Sequence, residues 1–89
     1  MLRKNIIIIN KLGLHARASA KLVNRASRFA SELEISKGNH TVNGKSIMGV
    51  MMLAASQGTT VELAVDGEDE VAMLEDITTL INNRFGEEE

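Results

Sequence analysis

His15 and Arg17 are the residues of this 89-residue chain best placed to do chemistry. His15 follows Gly13 and Leu14 and stands immediately before a stretch whose spacing reads as a helix. Side-chain oxygens are the preferred groups at such an N-cap, and an imidazole is not among them. A ring placed there faces backbone N–H groups that the helix leaves without acceptors, together with the positive end of the helix dipole. That field suits a ring acting as a nucleophile rather than as a cation, and it welcomes an anion. A phosphoryl group bonded to a ring nitrogen would be held by those N–H donors, and Arg17 would add a charge-assisted hydrogen bond to its oxygens. The competing reading is a surface histidine beside a loop.

Ser46 is the second candidate, and on its own it reads as the N-cap of a short helix. Gly44-Lys45-Ser46 also invites a nucleotide-binding reading, but the phosphate-loop pattern needs a glycine where Asn39 stands, and Gly38 is one place too early. ATP or GTP binding is therefore rejected. His40 has no partner motif and reads as a hairpin residue, and two histidines 25 positions apart make no metal site. Without cysteine, disulfides and thiolate metal sites are excluded, and no cofactor is implied.

The elements that must position these groups follow from periodicity and punctuation. Residues 2 to 9, rich in isoleucine, read as a strand, with Ile7 and Ile9 assigned to an open face, and Asn10 to Gly13 as a loop. A helix is expected over 16 to 29, with Ala18, Leu22, Ala26 and Phe29 inside and Arg17, Lys21, Asn24 and Arg28 outside. Residues 32 to 37 and His40 to Asn43 form a hairpin around Gly38 and Asn39. A short helix runs from Ile47 to Ser56 and stops at Gly58, and the alternation over 60 to 66 marks a half-buried strand. A last helix spans Asp69 to Phe85, with Val71, Leu74, Ile77, Ile81 and Phe85 as its inner stripe, followed by a frayed tail of Gly86 and three glutamates. The order is β-α-β-β-α-β-α, which implies a two-layer α+β domain, one domain over 1 to 89, with one sheet face open to water.

Composition narrows the function. The chain is 44% hydrophobic and 25% charged, an ordinary globular balance, and no apolar run approaches a membrane span or a signal peptide, so a cytoplasmic location is the expectation. With no tryptophan or tyrosine and a pI of about 5.7, the chain lacks the aromatic platforms and basicity that nucleic acids require. The first 45 residues hold nine basic residues against Glu32 and Glu34, and the rest hold Arg84 against ten acids. This asymmetry would steer an anionic partner to one face unless folding mixes the halves. On the short second helix, Val50 and Leu53 suffice for a core, leaving Ile47, Met48 and Met51 partly exposed, as suits a surface that fits several partners.

Gly13-Leu14-His15-Ala16-Arg17-Ala18 and Lys45-Ser46-Ile47-Met48-Gly49-Val50-Met51 resemble the two signatures of the histidine-containing phosphocarrier (HPr) family of the bacterial phosphoenolpyruvate-dependent phosphotransferase system. The resemblance covers essentially the whole chain and extends to the system's nitrogen-related branch. It implies an open-faced β-sandwich, a four-stranded antiparallel sheet with three helices on one side. It further implies that His15 is phosphorylated on Nδ1 by enzyme I and donates to a IIA domain or protein, with Arg17 positioning the phosphoryl group. Ser46 would be regulatory, phosphorylated by the HPr kinase/phosphorylase in organisms that carry it. Arg17, Ala20, Asn24, Ser27, Ile47, Met48 and Met51 would form the docking surface, and a monomer suits such a shuttle. The family commonly has proline where this chain has Ala18; alanine, the best helix former, should keep the first turn.

The favoured expectation is thus a carrier and not a self-contained enzyme, since no substrate cleft, metal cluster or general-base partner for His15 is legible. Its rivals are an enzyme using His15 as a covalent nucleophile, such as a phosphatase, and a regulatory binding module of the nitrogen-related branch acting through its helix surface alone.

Overall fold

The computed structural model describes all residues, 1–89. Its strands are β1 (Leu2–Ile7), β2 (Glu32–Lys37), β3 (His40–Asn43) and β4 (Thr60–Asp66), and its helices are α1 (Ala16–Ala26), α2 (Ile47–Met52) and α3 (Glu70–Asn82). The four strands form one antiparallel sheet in the order β1-β4-β2-β3. Leu33 lies opposite Val65 and Ile35 opposite Leu63, so the inward residues of adjacent strands stack into one apolar layer. Leu22 of α1, Val50 of α2 and Ile77 of α3 pack into the same buried cluster. The other sheet face carries Glu32, Glu34 and Glu62, and Ile7 is exposed there, as expected for an open-faced sandwich. No helix is long and apolar enough to cross a membrane.

Several boundaries differ from the sequence-based expectation, each for a visible reason. β1 ends at Ile7, although Ile8 stays tied to the neighbouring chain through Thr59 O and Gly58 N. α1 ends at Ala26, and its expected last turn is tighter, with Arg28 N bonding Arg25 O and Phe29 N bonding Ala26 O. α2 stops at Met52 rather than Ser56, and Ala54 adopts a left-handed φ of 50°. The chain leaves the helix early because Ala55 is needed elsewhere: its carbonyl accepts from Leu14 N at 2.9 Å. Lys37 Nζ donates to the carbonyls of Leu53 and Ala54, both at 3.2 Å, which satisfies the abandoned helix end.

In α3 the inner stripe is Met73, Ile77, Leu80 and Ile81, whereas Val71 is 58% exposed. Two helical positions turn the side chain by about 200°, so once Met73 faces the core Val71 cannot. Phe85 is buried as expected, but outside the helix. Arg84 and Phe85 both take φ of 55°, and a 3₁₀ turn over Arg84–Gly86 folds the aromatic ring inward. On β4, Ala64 is buried too, a small residue of the central strand between its cross-strand neighbours Arg3 and Glu34.

All six ion pairs join the first 45 residues to the last 44. The fold therefore mixes the two oppositely charged halves. Arg25 on α1 holds Asp76 on α3 through two parallel bonds, a geometry that favours arginine over lysine.

Asp69 precedes α3 but caps nothing in its own helix. Its carboxylate instead accepts from Ser31 Oγ at 2.5 Å and from the amides of Ala30 and Ser31, both at 2.9 Å. The Ser31 hydroxyl leads in holding its pKa down from 3.8 to about 2, with the Ala30 amide next. A depressed folded-state pKa adds stability that is fully present above the unfolded value and is lost as pH falls through the folded one. The wild type should therefore lose stability between about pH 4 and pH 2. Asp69→Asn should be less stable at neutral pH and show a flatter decline over that window, read by chemical denaturation at each pH.

Candidate functional site

The loop from Asn10 to His15 is fastened at both ends before it reaches the helix. Asn10 is fully buried, and its Nδ2 donates to Gly13 O at 2.8 Å. Gly13 N returns a bond to Asn10 O at 3.1 Å, closing the turn. Gly13 has φ +67°, and a Cβ there would run into Ala55 O and come within 2.8 Å of Ser56 Cα. Only glycine suits both the left-handed backbone and this close approach. Leu14 is buried and its amide is held by Ala55 O, while Ser19 Oγ donates to Leu14 O at 3.1 Å.

His15 is then the N-cap of α1, with extended backbone at φ −76° and ψ −178°, and its side chain makes no capping bond. Its carbonyl accepts from Ser19 N at 2.8 Å, the first bond of the helix. The amides of Ala16, Arg17 and Ala18 in the first turn thus find no backbone acceptor. Arg17 is exposed and lines one shallow cleft with His15, Ala16, Lys11 and Leu12, and its guanidinium makes no hydrogen bond or ion pair. A cation, open amide donors and a half-exposed imidazole share that cleft, an arrangement suited to receiving an anionic group.

The remaining wall of the cleft is the C-terminal segment, which the sequence presents as a frayed tail. It is a strap across the site. Lys21 Nζ donates to Phe85 O at 2.6 Å, and Lys11 bonds Glu89 through its amide and, at 3.1 Å, through its ammonium. Between these anchors Glu87 Oε2 lies 2.6 Å from His15 Nε2, and Glu87 Oε1 accepts from Asn10 Nδ2 at 3.0 Å. His15 does have a carboxylate partner, contrary to the sequence-based expectation. Burial pushes the Glu87 carboxyl upward, but the bonds from His15 and Asn10 outweigh it and leave its pKa below the ordinary value.

Ser46 caps α2, its Oγ accepting from Gly49 N at 3.1 Å. It stands outside the His15 cleft, and Lys45 beside it donates to Phe29 O at 2.8 Å, tying the start of α2 to the end of α1. Ile47, Met48 and Met51 are exposed, and so is Met52, which periodicity left unassigned and which is 77% exposed. On α1, Arg17, Asn24 and Ser27 are exposed and Ala20 is partly buried. His40 is an exposed end of β3 with no role in the cleft.

A family model described as "PTS HPr component phosphorylation site" matches residues 2–83. The chain belongs to the HPr family. It is 57% identical over 89 residues to the phosphocarrier protein HPr of Neisseria meningitidis serogroup A, covering the whole of both chains. It superposes on a crystal structure of HPr from Thermoanaerobacter tengcongensis with a TM-score of 0.96, at 46% identity and full coverage of both. An HPr dimer from the same organism matches with a TM-score of 0.79, at 46% identity over 98% of this chain and all of that one. HPr proteins are phosphocarriers of the phosphotransferase system and not catalytic enzymes, and the open-faced sandwich found here is theirs.

Gly13→Ala tests the loop that delivers the histidine. The left-handed backbone alone should cost about 1–2 kcal/mol, with the clash against Ala55 and Ser56 added to it, as measured by denaturant unfolding. Ser46→Ala should cost about 1 kcal/mol through the lost cap.

Proposed function

We propose that His15 accepts a phosphoryl group from phosphorylated enzyme I and donates it to a IIA domain or protein of the phosphotransferase system. The observation that carries this reading is the open first turn of α1 beside a half-exposed imidazole and an unpaired Arg17. A helix N-terminus is equivalent to roughly half a positive charge, and its free amides point at an anion bound there. Arg17 supplies a full charge and a planar fork of donors. Together they stabilise a phosphoryl group on the ring without enclosing it, so a partner can take it back. The site supplies no leaving-group activation of its own, and the partner completes it.

Docking is assigned to the surface of Arg17, Ala20, Asn24, Ser27, Ile47, Met48 and Met51. Its apolar centre of exposed isoleucine and methionine, beside the basic outer side of α1, suits brief and salt-sensitive encounters. Ser46 is assigned a regulatory role as a site for the HPr kinase/phosphorylase. A phosphate there would be tolerated locally by the helix start it already caps, while its charge would repel an acidic or phosphate-bearing partner from the neighbouring methionines.

Incubation with phosphoenolpyruvate and enzyme I should label the wild type with an acid-labile, base-stable phosphate, and His15→Ala should remain unlabelled. Arg17→Ala should accept phosphate roughly ten- to a hundredfold more slowly, the worth of one charge-assisted hydrogen bond. No label with an active cognate enzyme I would overturn the carrier reading. A His15→Ala protein that still performs its cellular task would favour the binding-module reading. Kinase and ATP should give an acid-stable phosphate that is absent from Ser46→Ala.

A further inference from the structure

We propose that Glu87 is a positioning residue for phosphoryl transfer: through its contact with Nε2 it fixes the His15 ring with Nδ1 free to attack, and it faces the positive charge the ring acquires. This deepens the carrier reading and rests on it.

Hydrogen-bonding capacity decides which atoms donate around His15. Asn10 Nδ2 points at two oxygens, Gly13 O at 2.8 Å and Glu87 Oε1 at 3.0 Å. Both accept, so the amide nitrogen must sit there, and its carbonyl oxygen cannot. An ionised carboxylate has no hydrogen to give. At 2.6 Å from Glu87 Oε2, His15 Nε2 must therefore carry the hydrogen of that bond. In the uncharged ring the lone pair then belongs to Nδ1. The two nitrogens point away from each other across the imidazole, so Glu87 holds one without obstructing approach to the other.

The transfer step balances around that assignment. The Nδ1 lone pair forms the bond to phosphorus as the bond from phosphorus to the donor atom breaks, and the donor atom keeps the electron pair. No proton leaves Nε2, so the ring becomes positively charged as the new bond forms. A carboxylate already hydrogen-bonded to the opposite nitrogen stabilises that charge, the role a buried carboxylate plays behind a catalytic histidine in hydrolases. On return transfer the charge disappears, and the same contact keeps the ring in register.

The strap is built to hold this carboxylate in place. Phe85 is buried, with only 1% exposed, and it anchors the near end, while Lys21 holds Phe85 O and Lys11 holds Glu89 beyond. Arg84 and Phe85 sit in left-handed backbone, which redirects the chain from the axis of α3 towards His15. Glu88 is exposed and bonds nothing, so it serves as the matched control on the same segment.

Two measurements on full-length Glu87→Ala, Glu88→Ala and wild type test the proposal. The first is the His15 Nε2–H proton in ¹⁵N-labelled protein at about pH 8, where an ordinary imidazole is neutral. It should be protected from exchange and visible in the wild type and Glu88→Ala, and lost in Glu87→Ala. The second is the rate of phosphate acceptance from phosphorylated enzyme I, which should fall roughly tenfold or more in Glu87→Ala and by much less in Glu88→Ala, whose carboxylate lines the cleft without touching the ring. A wild type that takes up no phosphate sinks the carrier reading and this inference with it. A wild type that is labelled, with Glu87→Ala equally fast or with an unaltered Nε2–H signal, sinks this inference alone.

Discussion

An α-helix cannot use its own first amide hydrogens, and in α1 those belong to Ala16, Arg17 and Ala18. A side-chain oxygen at the N-cap commonly accepts from one such amide, as Ser46 does in α2. In α1 the cap residue is His15, whose ring makes no such bond, so the donors stay available for something that arrives later. The surrounding construction exists to keep that arrangement in place. Gly13 supplies the left-handed turn, Leu14 is pinned into the core and to Ala55, and α2 gives up its expected last turn so that Ala55 can accept that bond. Open donors destabilise a helix slightly, and a packed loop offsets that cost.

The charge distribution along the chain acquires a different meaning once it is folded. Basic residues concentrate early and acidic ones late, and every ion pair crosses between the two groups. Arg3 pairs with Glu62, Lys11 with Glu89 and Arg25 with Asp76, so part of the linear asymmetry is spent on closure. Arg17 is the exception in the cleft, with no acid bonded to it. Two of the three acids lining the cleft are held by other partners: Glu87 by His15 Nε2 and Asn10, and Glu89 by Lys11. The site therefore keeps one free guanidinium and a set of free amides, with the exposed Glu88 as its one unbonded carboxylate.

Much of this was legible in the residues. Strict alternation marks β2 and β4, the Gly38-Asn39 pair marks the hairpin, and Ser46 marks the start of α2 because short-range chemistry decides each of them. The position of His15 at a helix start was legible for the same reason. What failed depends on contacts far apart in sequence. Val71 is apolar at helical spacing, but the phase of α3 is set by how Met73 and Ile77 meet the sheet. The end of α2 is decided by a carbonyl that Leu14 requires, more than forty residues earlier. The three terminal glutamates look like solvated charge, and only Phe85, Lys11, Lys21 and Asn10 acting together turn them into a strap. A buried aromatic beyond a helix end, followed by acids in a chain with an early basic loop, was the signal available.

Under the proposed function, the unpaired amides of α1 hold the phosphoryl group that His15 accepts. The backbone amide resonances of Ala16, Arg17 and Ala18, compared between the unphosphorylated and phosphorylated protein, test it most directly. Strong downfield proton shifts of one or more of these amides on phosphorylation, reversed when the phosphate is discharged, are the predicted result. Amides that stay where they were while His15 carries phosphate would contradict the account.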